Sequence, residues 1–600
     1  MSAGNTQAVN TQPGPKLWGV STDANMRQQL ERLRGQLSIE RSSFLTHWQD
    51  IDLHLAPRRA RLYITDVDRG YRRNQFIINS KATHAWGTLR SGMMSGFTSP
   101  SRPWFRLTTQ DPDLAKFETV KEWLYDCTWR MHDAFLRSNV YNILPTVYGD
   151  MSGFGTGCMM VMEDFDNVIH CFEFPLGSYY LFNNDRLRVN GFMRDFRLSV
   201  RQVVDKFVYD SAENTFDWSR CSSIVKNLWD AGTTESWIDL VQYVGPNAQY
   251  KPNSLRSQDK KYISVYYERG TQTGSYSASV TDLSKTLSVR GYDRFRVLAP
   301  RWEVSGEDVY GTMCPGMESL GDNKSLQTYE RRAAQALEKS INPAMVAPAS
   351  MRTQKATTVP GDITWMTDPG GEFKPAYQIN PNFQQYNIAV NAIEQRIAKS
   401  YHEDLWLVIS NLDKGNVTAE QVRALQNEKL QEIGPVVDRL NMDLLDPLVE
   451  ITFEIMTKQG LFPPPPQELS KAPMKVEYTS IIAQAQKALS AGGIEQFTGY
   501  VLRLREANPE DPSILDKFNV DEAIDHYGDS LTLPPGIVRD DDAVKKLRAQ
   551  RAKQQQQQQQ AAMAEQQSKT AKNLAQAPTS GGNALSDLIS QGQAGSLQPQ

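Results

Sequence analysis

Cysteine and histidine are scarce in this chain, and it has no long apolar run. Its 600 residues include five cysteines and seven histidines, without a CxxC pair or the cysteine–histidine spacing of a zinc site. The odd number of scattered cysteines disfavours a disulfide framework and indicates reduced, mostly buried thiols in a protein made in the cytoplasm. Apolar runs stay below the ~18 residues of a membrane helix, and a signal-peptide pattern is missing, so we expect no membrane partner.

Strong charge of either sign is also missing. The net charge is −4 and the pI is near 6.1, which excludes a protein that binds nucleic acid tightly over its whole surface. Any contact with DNA is therefore expected to be local or loose. The chain does have material for sizeable cores, because 40% of its residues are hydrophobic and 12 are tryptophan. A chain of this length predicts several domains.

The most regular stretch predicts one helix of about 40 residues over 418–459. A capping box can start it, and apolar residues then recur every three or four positions. Gly434 and Pro435 predict a kink, Pro447 is a candidate break, and the prolines at 463–466 end the helix. Such a length exceeds what a compact enzyme domain needs and favours a scaffold that spans distance.

The first half of the chain, residues 25–316, is predicted to form one mixed α+β domain. Helical periodicity covers 25–54, 80–96 and 114–139. Short segments rich in aromatic and β-branched residues then predict strands in GCMMVMED, VIHCFEF and SYYLFN, and later at 262–267 and 295–298.

An arginine-rich stretch at 57–75 has two interpretations. It could form a patch that binds nucleic acid, but Asp66 and Asp68 within it favour a solvated or inter-subunit face.

Two helices with narrow, coiled-coil-like apolar seams follow, at 322–340 and from Asn382 onward. The insert between them is rich in proline, glycine and threonine and has strand candidates at 344–347 and 363–366. Its own core would be very small, so we expect it to be completed by another chain.

After the long helix the sequence predicts a small strand and a few short helices. It then becomes basic and rich in glutamine, for which we expect a helix only near the start. The predicted strand lies at 476–478 and the predicted helices at 481–490, 494–508 and 520–527.

Motifs for catalysis or metal binding are weak. The glycines of SGFGTGC (152–158) only superficially resemble a phosphate-binding loop and favour a tight turn beside a strand. The His-Glu-Asp at 402–404 lacks the second histidine of a zinc site and favours a polar helix end. Asp111 and Asp113, like the aspartates at 540–542, could bind a cation but are more typical of loops and helix starts. The sequence therefore predicts no enzyme, no cofactor and no metal site.

Several ordered motifs between about residues 26 and 527 resemble the head-to-tail connecting (portal) proteins of podovirus-type, T7-like bacteriophages. They are the helix from Trp48 to Pro57, SGMMSGFTSPSRPWFRL, RWEVSGEDVYGTMCPGM, the long-helix block with its prolines, and VEYTSIIAQAQKA. In the third motif, the family-typical residues are Arg301, Trp302, Gly306, Glu307, Tyr310, Gly311 and Pro315.

The resemblance implies the phage portal fold, assembled as a ring of usually twelve subunits at one capsid vertex. Each subunit would have an α/β wing, a helical stem, a small β-containing clip, a long kinked helix and a helical crown. The implied divisions are a flexible arm at 1–24, the wing at 25–316, stem helices at 317–341 and 382–403, the clip at 342–381, a tunnel loop at 404–417, the long kinked helix at 418–460, the crown at 461–539, and a basic, then glutamine-rich and largely disordered tail at 540–600.

The resemblance also implies the function and the partners. Genomic double-stranded DNA would be packaged and ejected through the ring, without sequence-specific contacts. The partners would be capsid and scaffold proteins, the large subunit of the terminase motor and a tail adaptor. The protein would reside in the virion, and in the host cytoplasm during assembly.

The tunnel loop would line the narrowest part of the channel, with candidate residues Asn411, Asp413, Lys414, Gly415 and Asn416. A bore with many cations would hold DNA in place, so a mildly acidic chain suits low-friction passage, and Lys414 would make intermittent phosphate contacts. The alternative is that Lys414 only solubilises a loop tip.

Two other classes of protein stay open at this point. One is a nucleic-acid enzyme or hydrolase whose site has no recognisable spacing. The other is a non-viral, oligomeric helical scaffold without DNA passage. A ring with a central hole in images of the purified protein would separate the portal from the scaffold.

Overall fold

The computed structural model describes much of the first half of the chain and separate stretches of the rest. Contacts divide the chain into two units, one made of Met1–Thr108, Asp126–Pro464 and Met474–Leu489, the other of Thr109–Tyr125, Pro465–Pro473 and Ser490–Gln600. The described residues are 26–62, 70–111, 114, 117–210, 213–273, 276–280, 285–346, 374–375, 383–412, 433–469, 474–478, 497–501, 503–504, 519–524, 541–576, 578–579 and 582–583.

The described helices confirm the periodic segments predicted at 25–54, 80–96, 114–139, 322–340 and from Asn382. They are α1 (Met26–His54), α2 (Lys81–Phe97), α3 (Glu118–Arg137), α4 (Val140–Phe154), α5 (Val200–Val203), α6 (Ser223–Asp230), α7 (Pro315–Glu318), α8 (Leu320–Ile341), α9 (Phe383–Ser400), α10 (Glu403–Leu412), α11 (Asp446–Lys458) and α12 (Asp541–Gln576). Among them, α4, α6 and α10 were not predicted.

The described strands confirm the segments predicted from aromatic and β-branched residues at 157–183, 262–267 and 295–298. They are β1 (Phe105–Thr109), β2 (Met159–Asp164), β3 (Val168–Glu173), β4 (Tyr179–Asn183), β5 (Val189–Ser199), β6 (Tyr209–Asp210), β7 (Thr215–Phe216), β8 (Trp237–Pro246), β9 (Tyr262–Thr273), β10 (Tyr276–Ser279), β11 (Ser288–Tyr292), β12 (Val297–Leu298), β13 (Met345–Val346), β14 (Lys374–Pro375), β15 (Met474–Tyr478), β16 (Pro578–Thr579) and β17 (Gly582–Asn583).

An antiparallel sheet forms the structural centre of the described residues between 179 and 292. Among the described residues its strand order is β10-β9-β8-β5-β4, and β11 also pairs with β9. Because successive side chains of a strand point to opposite faces, the sheet can be covered on both sides. Leu30 and Leu37 of α1 pack on one face against Val241 and Val265. Helices α5 and α6 cover the other face.

A second sheet, β12-β2-β3, joins this centre to the long helix, whose last part α11 contacts both β2 and β3. The five cysteines, all within the described residues, are buried free thiols, as predicted. Helices and sheets mix along the chain, and the α+β class expected from the sequence is confirmed.

Glycines allow two chain segments to cross at backbone distance. Gly155 ends α4 with a left-handed φ of 87°, and a Cβ there would come within 2.7 Å of the Gly311 carbonyl oxygen. A Cβ on Gly311 would overlap the Gly155 carbonyl oxygen, and a Cβ on Gly316 would overlap that of Gly153. The glycine-rich loop is therefore a tight helix-to-strand turn, as predicted, and it also receives the 311–316 segment.

The long helix is described from residue 433 onward. Residues 433–440 are helical, Asn441–Leu445 form a π-helical turn, and α11 continues to Lys458. Pro447 therefore does not break the helix. Since proline lacks an N–H to donate to the carbonyl four residues earlier, the wider turn just before it accommodates the missing hydrogen bond. The kink at Gly434 and Pro435 stays a prediction.

Helix α12 differs from the expectation for the tail. It runs from Asp541 through the whole glutamine run to Gln576, whereas composition predicted a helix near the start only. Glutamine, alanine, lysine and arginine all have favourable helix propensities, which explains why the helix continues.

We predict that Gly311→Ala will destabilise the protein by about 1–3 kcal/mol, because the added methyl group meets a backbone oxygen that cannot rotate away. Chemical unfolding measures this free energy. The matched control is Gly35→Ala in the middle of α1, where nothing lies within 4 Å of the new Cβ. The control should raise the free energy of unfolding by about 0.5–1 kcal/mol. An equal loss of stability in both variants would show that the close approach of Gly155 and Gly311 is not what constrains residue 311.

Candidate functional site

The pair of helices α8 and α9 is only partly covered by the described chain. At its inner end Leu326, Ile393 and Ile397, three residues of the predicted apolar seams, are buried. Toward the far end, large apolar side chains are exposed instead. Their exposed fractions are Tyr329 45%, Leu337 47%, Ile341 76% and Ile388 63%. Apolar surface of the two helices is therefore left uncovered by the described chain, along the α8 seam at Tyr329 and Leu337 and on the side of α9 opposite its seam at Ile388.

Helix α10 holds α9 against α2 through close packing. A Cβ on Gly92 would lie only 2.6 Å from the Cβ of Trp406, so the glycine lets the two helices touch. Trp406 is 1% exposed, and its ring lies 6.1 Å from that of Phe97. Lys81 Nζ forms an ion pair with Glu403 at 2.7 Å, at the start of both helices. Helix α10, which follows α9 almost directly, is thus fixed to α2.

A buried glutamine connects α8 to the start of α2. Gln327 is 4% exposed, and its Oε1 accepts hydrogen bonds from the backbone N–H groups of Ile78 (2.6 Å) and Asn79 (2.8 Å). Its amide nitrogen donates to Asn79 O and to Asn323 Oδ1, both at 2.8 Å. Asn323 in turn donates to His54 O at the end of α1 (2.9 Å). Every polar atom of the Gln327 side chain is used, which makes this a fully satisfied buried network.

Asn79 then links the two helices of the pair. Its amide nitrogen donates to Glu330 of α8 (3.1 Å) and to Glu394 of α9 (3.0 Å), while its Oδ1 accepts from Lys81 N at the start of α2. Two carboxylates therefore meet at one amide group. The pKa of Tyr386 is raised to about 12. Partial burial is the largest cause, and interactions with the carboxylates of Glu330 and Glu394 add to it.

Ion pairs support the same junction from outside. Arg396 of α9 makes a two-pronged contact with Asp322 of α8, with Nη2–Oδ1 at 2.7 Å and Nε–Oδ2 at 3.2 Å. Lys324 of α8 pairs with Asp50 of α1 at 2.7 Å. Exposed ion pairs add little stability, but a bidentate pair fixes the angle at which two helices cross.

The motif RWEVSGED lies against the π-helical turn of the long helix. Arg301 is buried, and its Nε donates to Asp443 Oδ2 at 3.3 Å. Arg439 Nη1 donates to the Trp302 carbonyl at 3.4 Å. Burial raises the pKa of Asp443, and the positive charge of Arg301 opposes this effect. Two of the motifs identified in the sequence are therefore in direct contact.

The candidate channel residues are mostly outside the described part of the chain. Asn411 lies in α10, and residues 404–412 of the predicted tunnel loop are helical. Asp413, Lys414, Gly415 and Asn416 lie outside the described residues. Asn411 and Trp406 thus share one helix, and the channel itself is not tested by the described residues.

Sequence reasoning missed the hydrogen-bonded junction at Asn79 and Gln327. A signal was present, because Asn323, Gln327 and Glu330 follow the spacing i, i+4, i+7 along α8 and so share one helical face. A helical face made of polar residues normally predicts exposure to solvent, so nothing in the sequence indicated burial there. Only the structure places the 78–79 backbone against them.

Comparison with known proteins places the chain in a family. Residues 27–538 match the family of bacteriophage head to tail connecting proteins. The chain belongs to this family.

Two curated relatives are similar over almost their whole length. A portal protein of Salmonella phage epsilon15 is 39% identical over 564 residues, which is 94% of this chain and 98% of the relative. A probable portal protein of Bordetella phage BPP-1 is 36% identical over 556 residues, 92% of this chain and 96% of the relative. The resemblance derived from the ordered motifs is thereby confirmed.

Two searches of the described residues were negative. Within them, no group of three or more histidine, cysteine, aspartate or glutamate side chains could hold a metal ion. The helices among these residues also include none with the length and apolar character needed to cross a bilayer.

We predict that Gln327→Ala will lower the free energy of unfolding by about 1–3 kcal/mol, because it removes the buried acceptor of the partly buried N–H groups of Ile78 and Asn79. Gln335→Ala is the control, since it removes the same side chain from an exposed position of the same helix. Its effect should stay within about 0.5 kcal/mol. Similar unfolding free energies for the two variants would show that the junction contributes nothing.

Proposed function

We propose that this protein is the portal of a tailed bacteriophage, a ring of identical subunits at one capsid vertex through which double-stranded DNA enters and leaves the head. The family match and the names of both relatives support this assignment. The observation from the chain itself that carries it is the open apolar surface of α8 and α9.

Identical copies can cover this surface if they close around an axis. In a ring, one side of each subunit contacts the opposite side of the next, so the contact is heterologous and need not be self-complementary. Tyr329, Leu337 and Ile341 on α8 and Ile388 on α9 are exposed in the single chain. Burying such side chains stabilises by about 25 cal/mol for each Å² removed from water. A ring of usually twelve copies, as in the family, would bury these four side chains between neighbouring subunits.

The divisions inferred from the sequence complete this proposal. Residues 25–316 form the wing, 317–341 and 382–403 the stem, 342–381 the clip, 418–460 the long helix and 461–539 the crown. The stem ranges coincide closely with α7–α8 and α9. The described part of the clip is the antiparallel pair β13–β14, in which Met345 and Val346 are exposed. So small a ladder is expected to need a neighbouring subunit for stability.

The hydrogen-bonded junction at Asn79 and Gln327 would transmit force between the wing and the stem without a change in their relative orientation. A stem fixed to the wing by hydrogen bonds and ion pairs keeps one geometry while DNA moves past it. The tunnel loop would follow α10, with Asp413, Lys414, Gly415 and Asn416 toward the channel. The proposed partners are capsid and scaffold proteins, the large subunit of the terminase, and a tail adaptor at the clip. The protein acts as a structural connector in the virion.

We predict that Leu337→Glu combined with Ile388→Glu will abolish rings, because charges at a buried contact cost several kcal/mol per subunit. Negative-stain images and sedimentation velocity measure the loss. Leu255→Glu, at an almost fully exposed residue between β8 and β9, is the control and should leave rings intact. If the double variant still forms rings, Leu337 and Ile388 do not lie in the contact between subunits.

Lys414→Glu provides a test of the channel. If Lys414 contacts passing DNA, replacing one cation per subunit with an anion removes a phosphate contact and adds repulsion. Genome retention in filled heads should then fall, and packaging should change with salt concentration. Lys414→Arg is the charge-preserving control. Unchanged retention and packaging in Lys414→Glu across salt concentrations would leave Lys414 as a solubilising residue only.

A further inference from the structure

Helix α12 lies beyond residues 27–538, which match the family model, although the similarity to the epsilon15 relative covers 94% of the chain and so includes the start of this helix. Its 36 residues span about 54 Å. Every side chain from Arg548 to Thr570 is exposed. The proposed function assigns no role to this long exposed helix.

The charge of α12 opposes that of the chain as a whole. The helix has seven lysines and arginines against three aspartates and glutamates, although the net charge of the protein is −4. No acidic residue occurs between Asp542 and Glu565. The basic residues cluster near the start of the helix, at Lys545, Lys546, Arg548, Arg551 and Lys553.

These cations differ in how they are compensated. Arg548 makes a bidentate pair with Asp521, with both N–O distances at 2.7 Å, and Val544 and Leu547 are half-buried. One side of the helix start is therefore held by its own unit. Among the described residues, by contrast, no ion pair engages Lys546, Arg551 or Lys553, and all three are exposed.

The spacing also suits an extended anionic partner. Lys546 and Lys553 are seven residues apart, so they lie on the same helical face about 10 Å from each other. Exposed glutamine side chains follow over 554–560 and can donate and accept hydrogen bonds.

Two other partners fit less well. A bundle of α12 copies needs an apolar seam, but beyond residue 548 the only large apolar residues of the helix are Met563 and Leu574. The same lack of an apolar face disfavours a helix lying in a membrane surface.

We propose that the start of α12 binds the phosphate backbone of double-stranded DNA through Lys546, Arg551 and Lys553, without sequence preference. The inference rests on the proposed portal function, which supplies DNA as the polyanion, and it assigns a DNA contact outside the channel. Such binding gains free energy from released counterions and weakens as salt increases.

The test uses the full-length assembled protein and a labelled DNA duplex of mixed sequence, with binding measured by anisotropy over a salt series. The triple variant Lys546→Gln, Arg551→Gln, Lys553→Gln should flatten the slope of log affinity against log salt by about 0.9 for each phosphate that is no longer neutralised. The variant Lys546→Arg, Arg551→Lys, Lys553→Arg should retain the slope.

A second control removes equal charge elsewhere, through Arg201→Gln, Lys226→Gln and Lys251→Gln on the wing, and should change the slope little. Equal effects of the two neutralising variants, or no binding by wild-type rings, would overturn the proposal. Tighter binding to polyglutamate than to DNA would overturn it in favour of an acidic protein partner. Images of the same samples report ring formation separately, so a failed DNA contact is distinguishable from a failed portal assignment.

Discussion

The structure depends most on the close backbone crossing between the turn after α4 and the segment that leads into α7 and α8. Side chains are excluded where Gly155 meets Gly311 and where Gly153 meets Gly316. The Gly155 carbonyl accepts from Trp302 N at 3.0 Å, and Gly311 N donates to Thr156 Oγ1 at 2.8 Å. Because α8 follows almost directly, this crossing sets where α8 begins relative to α4.

Beyond this crossing, hydrogen bonds add to the apolar packing at the inner end of α8. Gln327 and Asn79 bond to each other and to neighbouring backbone groups beside the buried Leu326. Hydrogen-bond geometry is directional, whereas apolar contacts tolerate sliding. A junction of this kind therefore fixes an angle, while the exposed apolar residues farther along α8 and α9 stay available for the contact between copies that we propose.

Motifs that are distant in sequence become one connected region in the fold. RWEVSGED reaches the glycine turn on one side, and through Arg301 and Asp443 it reaches the π-helical turn of the long helix on the other. The proposed assembly thus has a continuous path of packed groups from the wing sheet to the helix that follows the predicted tunnel loop. Helix α12 belongs to the other unit and has the opposite charge, which is consistent with a separate role.

The sequence by itself determined the element types, the α+β class, the reduced cysteines and the family, because periodicity and ordered motifs depend on local spacing. It did not determine the Asn79–Gln327 junction, since residues 79 and 327 meet only after α2 and α8 have packed. Nor did it predict how Pro447 is accommodated or that α12 continues through the glutamines. The junction depends on which donors and acceptors lie opposite each other, and only the tertiary structure decides that. The length of α12 follows instead from local helix propensity, which the composition of the tail concealed.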